Sequence, residues 1–359
     1  LAATHTRETG APTVDAFGLG VSAWELDLWG RVRSLGDAAL AQLAASEQAR
    51  AAAQVSLVAS VASAYVAMAG DQALMDLAQR TYDTRTETMK LVQLRFEHGV
   101  ASSIELQDNR SLVEAARVAL AQAKRQRALD EDALVLLVGS PLPADLPPAP
   151  TWESIALPDV PVGLPSQVLL QRPDVAQAED QLRAANADIG AARAAFFPTI
   201  SLTGSAGTAS TSLDHLFEHA AFTFIPQVTL PIFDAGRNRA NLRISQAQRD
   251  IAVAQYEKAV QSAFRDVADA LAGRATLVEQ LDAQQAQADA EAKRFELSDL
   301  LYKNGVASSL DQLDAQRSVF AAQQALVQTR LLLLQNRIAV YRAIGGGWSD
   351  EDAQAAASR

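Results

Sequence analysis

Asp108 and Asp314 stand 206 residues apart, each shortly after a copy of the same pentapeptide, Gly99-Val100-Ala101-Ser102-Ser103 and Gly305-Val306-Ala307-Ser308-Ser309. Carboxylates brought together from several copies of such a chain repel one another unless cations or arginines pair them. They also concentrate cations at a mouth. That chemistry is electrostatic gating, with no bond made or broken. The competing expectation is that the two acids merely favour the dipole of a helix start. Other candidate chemistry is weaker. His215 and His219 have the i,i+4 spacing that binds metal on a helix, but they fall between two strand-like stretches and are expected in an extracellular loop, so no metal is assigned. Gly345-Gly346-Gly347 lacks the Lys-Ser/Thr of a phosphate loop and is expected to stop a helix. No motif supports catalysis, and no cofactor is called for.

The elements that position the two aspartates repeat at the same offset. Gly30-Arg31 returns as Gly236-Arg237, Gly139 as Gly345, and Val61, Ala62 and Ala64 as Val267, Ala268 and Ala270. Length-locked repeats build rings, tubes and solenoids. No proline interrupts residues 29–98 or 235–304. Each stretch predicts a helix of about 70 residues, about 105 Å long, turning at Gly99 or Gly305 and returning over about 37 residues. The two hairpin repeats are thus 29–139 and 235–345.

In the second return helix, Leu310, Leu313, Arg317, Phe320, Gln324, Val327, Leu331, Leu334, Ile338 and Tyr341 form one heptad stripe, and Val319, Leu326, Leu333 and Val340 a neighbouring one. One stripe makes a two-stranded coiled coil; two give a helix with a neighbour on each side, as in a ring. A four-helix bundle is the alternative, and the helix lengths argue against it. A shorter helix over 172–195, stacked on a return helix, completes a column of about 61 residues, close to the length of its unbroken partner. The proline-rich segment 140–171 predicts an equatorial linker, and 346–359 a C-terminal tail.

Residues 1–12 predict a loop. Over 13–26 the side chains alternate, with Phe17, Leu19, Val21 and Ala23 facing one way and Gly18, Gly20 and Ser22 the other. The same period of two recurs over 197–232, where Phe222, Phe224, Val228 and Leu230 alternate with Thr223, Gln227 and Thr229. An apolar face opposite small hydroxyl residues and Gln is the pattern of a transmembrane β-barrel; a half-buried sheet is the bland alternative. Gly30 and Gly236 are expected to bend the chain from strand into helix. Two strands per copy cannot close a barrel, and an open edge does not survive in lipid. Three chains give twelve strands and twelve helical columns, so a homotrimer is expected.

Composition agrees. A net charge of −11 makes nucleic acid an unsuitable partner. There is no cysteine, and only three methionines, at 68, 75 and 89, which offers no metal cluster. No unbroken run of about 18 apolar residues predicts a transmembrane helix. Repeat arithmetic puts the helix and most of the first strand of copy one before residue 1, so the N-terminal part of copy one, with any export signal, is expected to be missing.

Several segments resemble the TolC family of outer-membrane factors, in its OprM-like branch of multidrug efflux lipoproteins. They are Ala23-Trp24-Glu25-Leu26-Asp27-Leu28-Trp29-Gly30-Arg31, Leu164-Pro165-Ser166, Gln171-Arg172-Pro173-Asp174-Val175, the run from Ala184 through Asn186 and Gly190 to Phe196-Phe197-Pro198, Leu230-Pro231-Ile232-Phe233, and Leu313-Asp314-Ala315-Gln316-Arg317-Ser318. The resemblance covers essentially the whole chain. It implies a mainly α protein with a small β part, a trimer in which a twelve-stranded transmembrane barrel continues into a twelve-column periplasmic α-helical barrel. It also implies a passive exit duct in the outer membrane, lipid-anchored at the N-terminus, partnered by a periplasmic adaptor (membrane fusion protein) and an inner-membrane RND transporter. The family's closed end maps onto Leu310 and Asp314, one turn apart, with Tyr302 and Arg317 nearby and Asp108 as the repeat partner. Adaptor docking is expected at Gly99, Val100, Ala101 and Ser102 and at Gly305, Val306, Ala307 and Ser308. The alternatives are a soluble coiled-coil scaffold, or a secretion or metal-efflux duct of the same fold.

Overall fold

The computed structural model describes residues 2–6, 14–142, 155, 170, 172–211, 217–218 and 220–346. Most of the expected linker, most of the expected tail, and both His215 and His219 lie outside the described residues. The chain divides into two compact units. One is Leu1–Ala49 with Asp174–Val260, and the other is Arg50–Pro173 with Gln261–Arg359.

The first unit carries a four-stranded antiparallel sheet in the order β1 (Ala2–Thr6), β2 (Val14–Leu26), β3 (Thr199–Ser210), β4 (Ala220–Thr229). β1 corrects the expectation that residues 1–12 are loop. Ala2–Thr6 pairs antiparallel with Val14–Gly18. A five-residue stretch of alanine, threonine and histidine shows no alternation to read, and its strand state is set by the β2 backbone it pairs with.

The strand period also differs from expectation at one place. The register of β2 on β3 shifts between Val21 and Trp24. Ala23 there has φ +54°, and its N–H donates to Thr203 Oγ1 at 3.0 Å. This bulge takes Ala23 out of the apolar row and puts Trp24 and Leu26 into it, opposite Leu202 and Ile200. The corrected row joins Phe17, Leu19, Val21, Trp24 and Leu26 to Ile200, Leu202 and Ala206, and through these to Val228 and Phe222. Leu19, Val21, Trp24, Phe222, Phe224 and Val228 are all exposed. The opposite face carries Ser201, Thr203 and Ser205 against Gln227 and Thr223.

Helices α1 (Arg31–Glu97) and α4 (Arg237–Lys303) each run 67 residues. Their starts are built in the first unit. Asp27 accepts the N–H groups of Val32 and Arg33 at 2.9 and 2.7 Å, and Asp234 those of Gly236 and Asn238 at 2.9 and 2.8 Å. The N–H groups of Asn238 and Gly236 hold the Asp234 carboxyl below its ordinary range. Gly30 and Gly236 have φ of +75° and +82°, with open space where a Cβ would stand, so backbone conformation is what requires glycine there. Trp29 stacks on Phe197 at 4.7 Å, and its indole N–H donates to the Pro198 carbonyl at 2.8 Å. Asn238 reaches the Ala195 carbonyl, just past α3 (Pro173–Ala194), at 3.0 Å.

The second unit holds the rest of the hairpins, with return helices α2 (Ser103–Val138) and α5 (Ser309–Ala343). The seam of α1 is alanine-rich. Ala59, Val66 and Ala69 pack with Leu334 and Ile338 of α5. The neighbouring stripe of α5 goes to the other long helix, where Val340 and Ala343 pack with Ala270 of α4. The two stripes therefore serve two different neighbours. Arg172 holds the end of α5, donating to the Ala343 carbonyl at 2.8 Å and pairing with Asp266 at 3.4 Å.

One helix passes a length-and-composition test that a count of unbroken apolar runs does not. α1 contains an 18-residue window of mean hydropathy 1.6, apolar enough to cross a membrane by length and composition alone. Counting unbroken apolar runs misses it because isolated polar residues interrupt the alanines and valines. Ala59, Val66 and Ala69 within α1 are used for packing on α5.

Candidate functional site

The two helical turns close alike. Gly99 and Gly305 have φ of +73° and +72°. The N–H of Gly99 donates to Phe96 O at 2.9 Å and that of Val100 to Arg95 O at 2.8 Å. In the second turn, Gly305 donates to Tyr302 O at 3.0 Å and Val306 to Leu301 O at 2.9 Å. This is the Schellman pairing that ends a helix on a left-handed glycine. Serine then opens each return helix. Ser102 Oγ accepts from the Glu105 N–H at 3.1 Å, and Ser308 Oγ from the Asp311 N–H at 3.3 Å. Local turn chemistry thus accounts for the glycine and the first serine of each pentapeptide. It does not account for Val100 and Val306, which are 66% and 75% exposed.

Beyond the caps the copies diverge. Asp311 returns its carboxylate to Ser308, accepting from the hydroxyl at 2.7 Å and the N–H at 3.3 Å, a full capping box. Glu105, its equivalent 206 residues earlier, instead accepts the hydroxyl of Tyr302. Arg95 donates to that same hydroxyl, lies 3.9 Å from the Glu105 carboxylate and stacks 5.1 Å over the Tyr302 ring. Burial, aided by the hydrogen bond to Glu105, pushes the Tyr302 phenol up to about 12. The repeat equivalents of Arg95 and Tyr302 are Leu301 and Phe96, so this tie between the two hairpins has no second copy within the chain.

Asp314 pairs with Arg294 of α4 at 3.0 Å, and Arg294 also holds Glu291 at 2.8 Å. The hydrogen bonds to Asp314 and Glu291 raise the Arg294 guanidinium above its ordinary range. Asp108 makes no ion pair among the described residues. Leu310 is 64% exposed. Arg317 is exposed and makes no hydrogen bond or ion pair among the described residues. Within one chain, therefore, Tyr302 is joined to Arg95 and Glu105, and Asp314 to Arg294, while Arg317 stands apart from both. Sequence reasoning missed Arg95, Glu105, Arg294 and Ile104. Ile104 precedes Asp108 by one turn as Leu310 precedes Asp314, and it is 72% exposed; the repeat offset would have found it. The other three become visible only when separate helices are brought together.

Comparison with known proteins places this architecture. The family model described as outer membrane efflux protein matches residues 3–140 and 164–346. The probable efflux pump outer membrane protein TtgC of Pseudomonas putida strain KT2440 is 47% identical over 354 residues, which is 98% of this chain and 73% of that protein. The crystal structure of a membrane protein from Pseudomonas aeruginosa superposes with a TM-score of 0.89 at 41% identity, covering 97% of this chain and 81% of that one. The open state of the Neisseria gonorrhoeae MtrE outer membrane channel gives a TM-score of 0.87, also at 41% identity, over 96% of this chain and 80% of that one. The relationship extends across both hairpins and the sheet, and the chain belongs to the outer membrane efflux protein family.

Proposed function

We propose that this protein is the passive outer-membrane exit duct of a tripartite efflux pump, exporting drugs or other small molecules and gated at its helical turns. The observation that carries the proposal is the sheet. One face is apolar and exposed, the other bears small hydroxyl groups, and among the described residues β1 and β4 each pair on one side only. A water-facing scaffold would show the opposite distribution. Such a sheet persists in lipid only when its edges are closed, and three copies close a barrel of twelve strands.

The long helices continue each strand pair into the periplasm, where Asp108 and Asp314 form the gate with Leu310, Tyr302 and Arg317. The turns, with their exposed valines, receive a periplasmic adaptor that also holds an inner-membrane RND transporter. The duct consumes no energy. The adaptor binds the open end more tightly than the closed one and shifts the population toward open.

The test is complementation. In a strain lacking its own efflux outer-membrane component, but retaining a compatible adaptor and transporter, the full-length protein restores growth on a toxic pump substrate. Sensitivity that persists while folded trimer is present in the outer membrane would overturn the proposal.

A further inference from the structure

Arg85 of α1 is only 5% exposed and makes no ion pair among the described residues. Its guanidinium donates to two main-chain carbonyls, Leu112 of α2 at 3.0 Å and Gln316 of α5 at 3.4 Å, and lies 5.2 Å over the Phe320 ring. Carbonyls and a ring face satisfy donors but leave the charge uncompensated. The neighbouring charge is another cation, Arg317; burial first and that charge second lower the Arg85 guanidinium from its ordinary range. A buried charge is stable when an opposite charge sits beside it, and none is supplied by the described residues.

A cavity of about 270 Å³ opens beside Arg85, between α1, α4 and α5. Arg80, Thr81 and Thr84 line it, and no acidic residue does. Gln316 also lines it, and its side-chain oxygen is buried without a hydrogen-bond partner. A carboxamide turned about its last bond presents N–H donors in place of that oxygen. The rest of the wall is Gln323 and an apolar part that includes Leu77, Phe295 and Val319. The volume is just under the usual small-molecule range of about 300–1,000 Å³, so the occupant is small.

We propose that this cavity binds a small organic anion, its carboxylate on Arg85 and Arg80 and its apolar body against Phe295 and Val319. Such a ligand would bridge both hairpins of one chain. The inference stands apart from conduction and does not depend on it.

The test is calorimetric titration of the purified intact protein with benzoate and, separately, with benzyl alcohol, which keeps the ring and loses the charge. Benzoate is expected to saturate one site per chain, and benzyl alcohol to give no saturable heat. Arg80→Gln is expected to weaken benzoate by at least about five-fold, the loss of one charge-assisted contact, and Arg85→Gln to abolish it. Arg85 also bonds α2 and α5, so its variant risks misfolding; Arg80 makes no such bond among the described residues and carries the test alone if needed. Equal heats for the two probes, no saturable benzoate binding, or binding unchanged in Arg80→Gln would overturn the proposal. So would displacement of benzoate by an equal concentration of chloride, which would assign the site to inorganic anions. A map of the intact assembly with a carboxylate of a second copy seated on Arg85 would likewise overturn it, as a contact between chains.

Discussion

The phenol of Tyr302 donates to the carboxylate of Glu105, 197 residues earlier in the chain, and so ties the end of the second long helix to the start of the first return helix. Tyr302→Phe removes the bridge and leaves Arg95 and Glu105 at 3.9 Å. The expected cost is about 1 kcal/mol, confined to the turns. Amide exchange over residues 95–105 and 302–311 should quicken while the rest of the chain is unchanged. The pH dependence follows from the phenol, raised from 10.0 to about 12. A raised value means the contribution is complete below about pH 10 and lost as pH rises through about 12. One of the five tyrosines should therefore titrate late in the phenolate absorbance, and that component should vanish in Tyr302→Phe.

Asp71 of α1 and Asp130 of α2 face each other within one hairpin. Burial first, then the hydrogen bond and charge of Asp130, push the Asp71 carboxyl up to about 7 from 3.8. Gln126 also donates to Asp130, at 3.1 Å. The raised value makes this contribution complete below about pH 3.8 and lost as pH rises through about 7. Asp71→Asn should flatten the fall in melting temperature across that window. Above it the variant should be more stable, by about 1 kcal/mol once solvent screening is allowed for. A pH profile identical to wild type would contradict the shared-proton arrangement.

Leu310 and Leu313 lie in the same turn of α5 and do opposite things. Leu313 is 1% exposed and Leu310 64%. Leu313→Ala should destabilise the protein by about 2–5 kcal/mol, and Leu310→Ala by less than about 0.5 kcal/mol. Thermal unfolding of the two variants reads this directly. If Leu310 serves the gate, its variant alone should also raise conductance.

Val100 and Val306 are the exposed apolar residues of the two turns. The double substitution Val100→Asp/Val306→Asp should reduce adaptor affinity by at least about ten-fold, since charge is placed in the middle of a contact. Oligomeric mass and sheet content should stay as in wild type. Unchanged affinity in a pull-down or titration with the cognate adaptor would move docking away from the turns.

Much of this architecture could be read along the chain because it is periodic. The 206-residue offset, the glycines at both turns and the two stripes of α5 are local signals, and each recurs. What escaped reading has physical reasons. Ala23 is unremarkable in sequence, yet a bulge there re-aims Trp24 and Leu26, and a bulge is decided by the partner strand. Glu105 and Asp311 look interchangeable as the third residue of a helix, yet only Asp311 caps its own helix. Glu105 has one more methylene and a tyrosine within reach. Arg294 acquires its ion pair solely because α4 lies against α5 at Asp314.

A pore gated by carboxylates just past the turns is tested by single-channel conductance of the full-length protein in a planar bilayer, wild type beside Asp108→Ala/Asp314→Ala. Small or rare openings in wild type should become large and frequent in the variant, with weaker cation preference. Well-folded trimers of either form that conduct no current would contradict the duct itself. A large wild-type conductance unchanged by the substitutions would contradict the acidic gate.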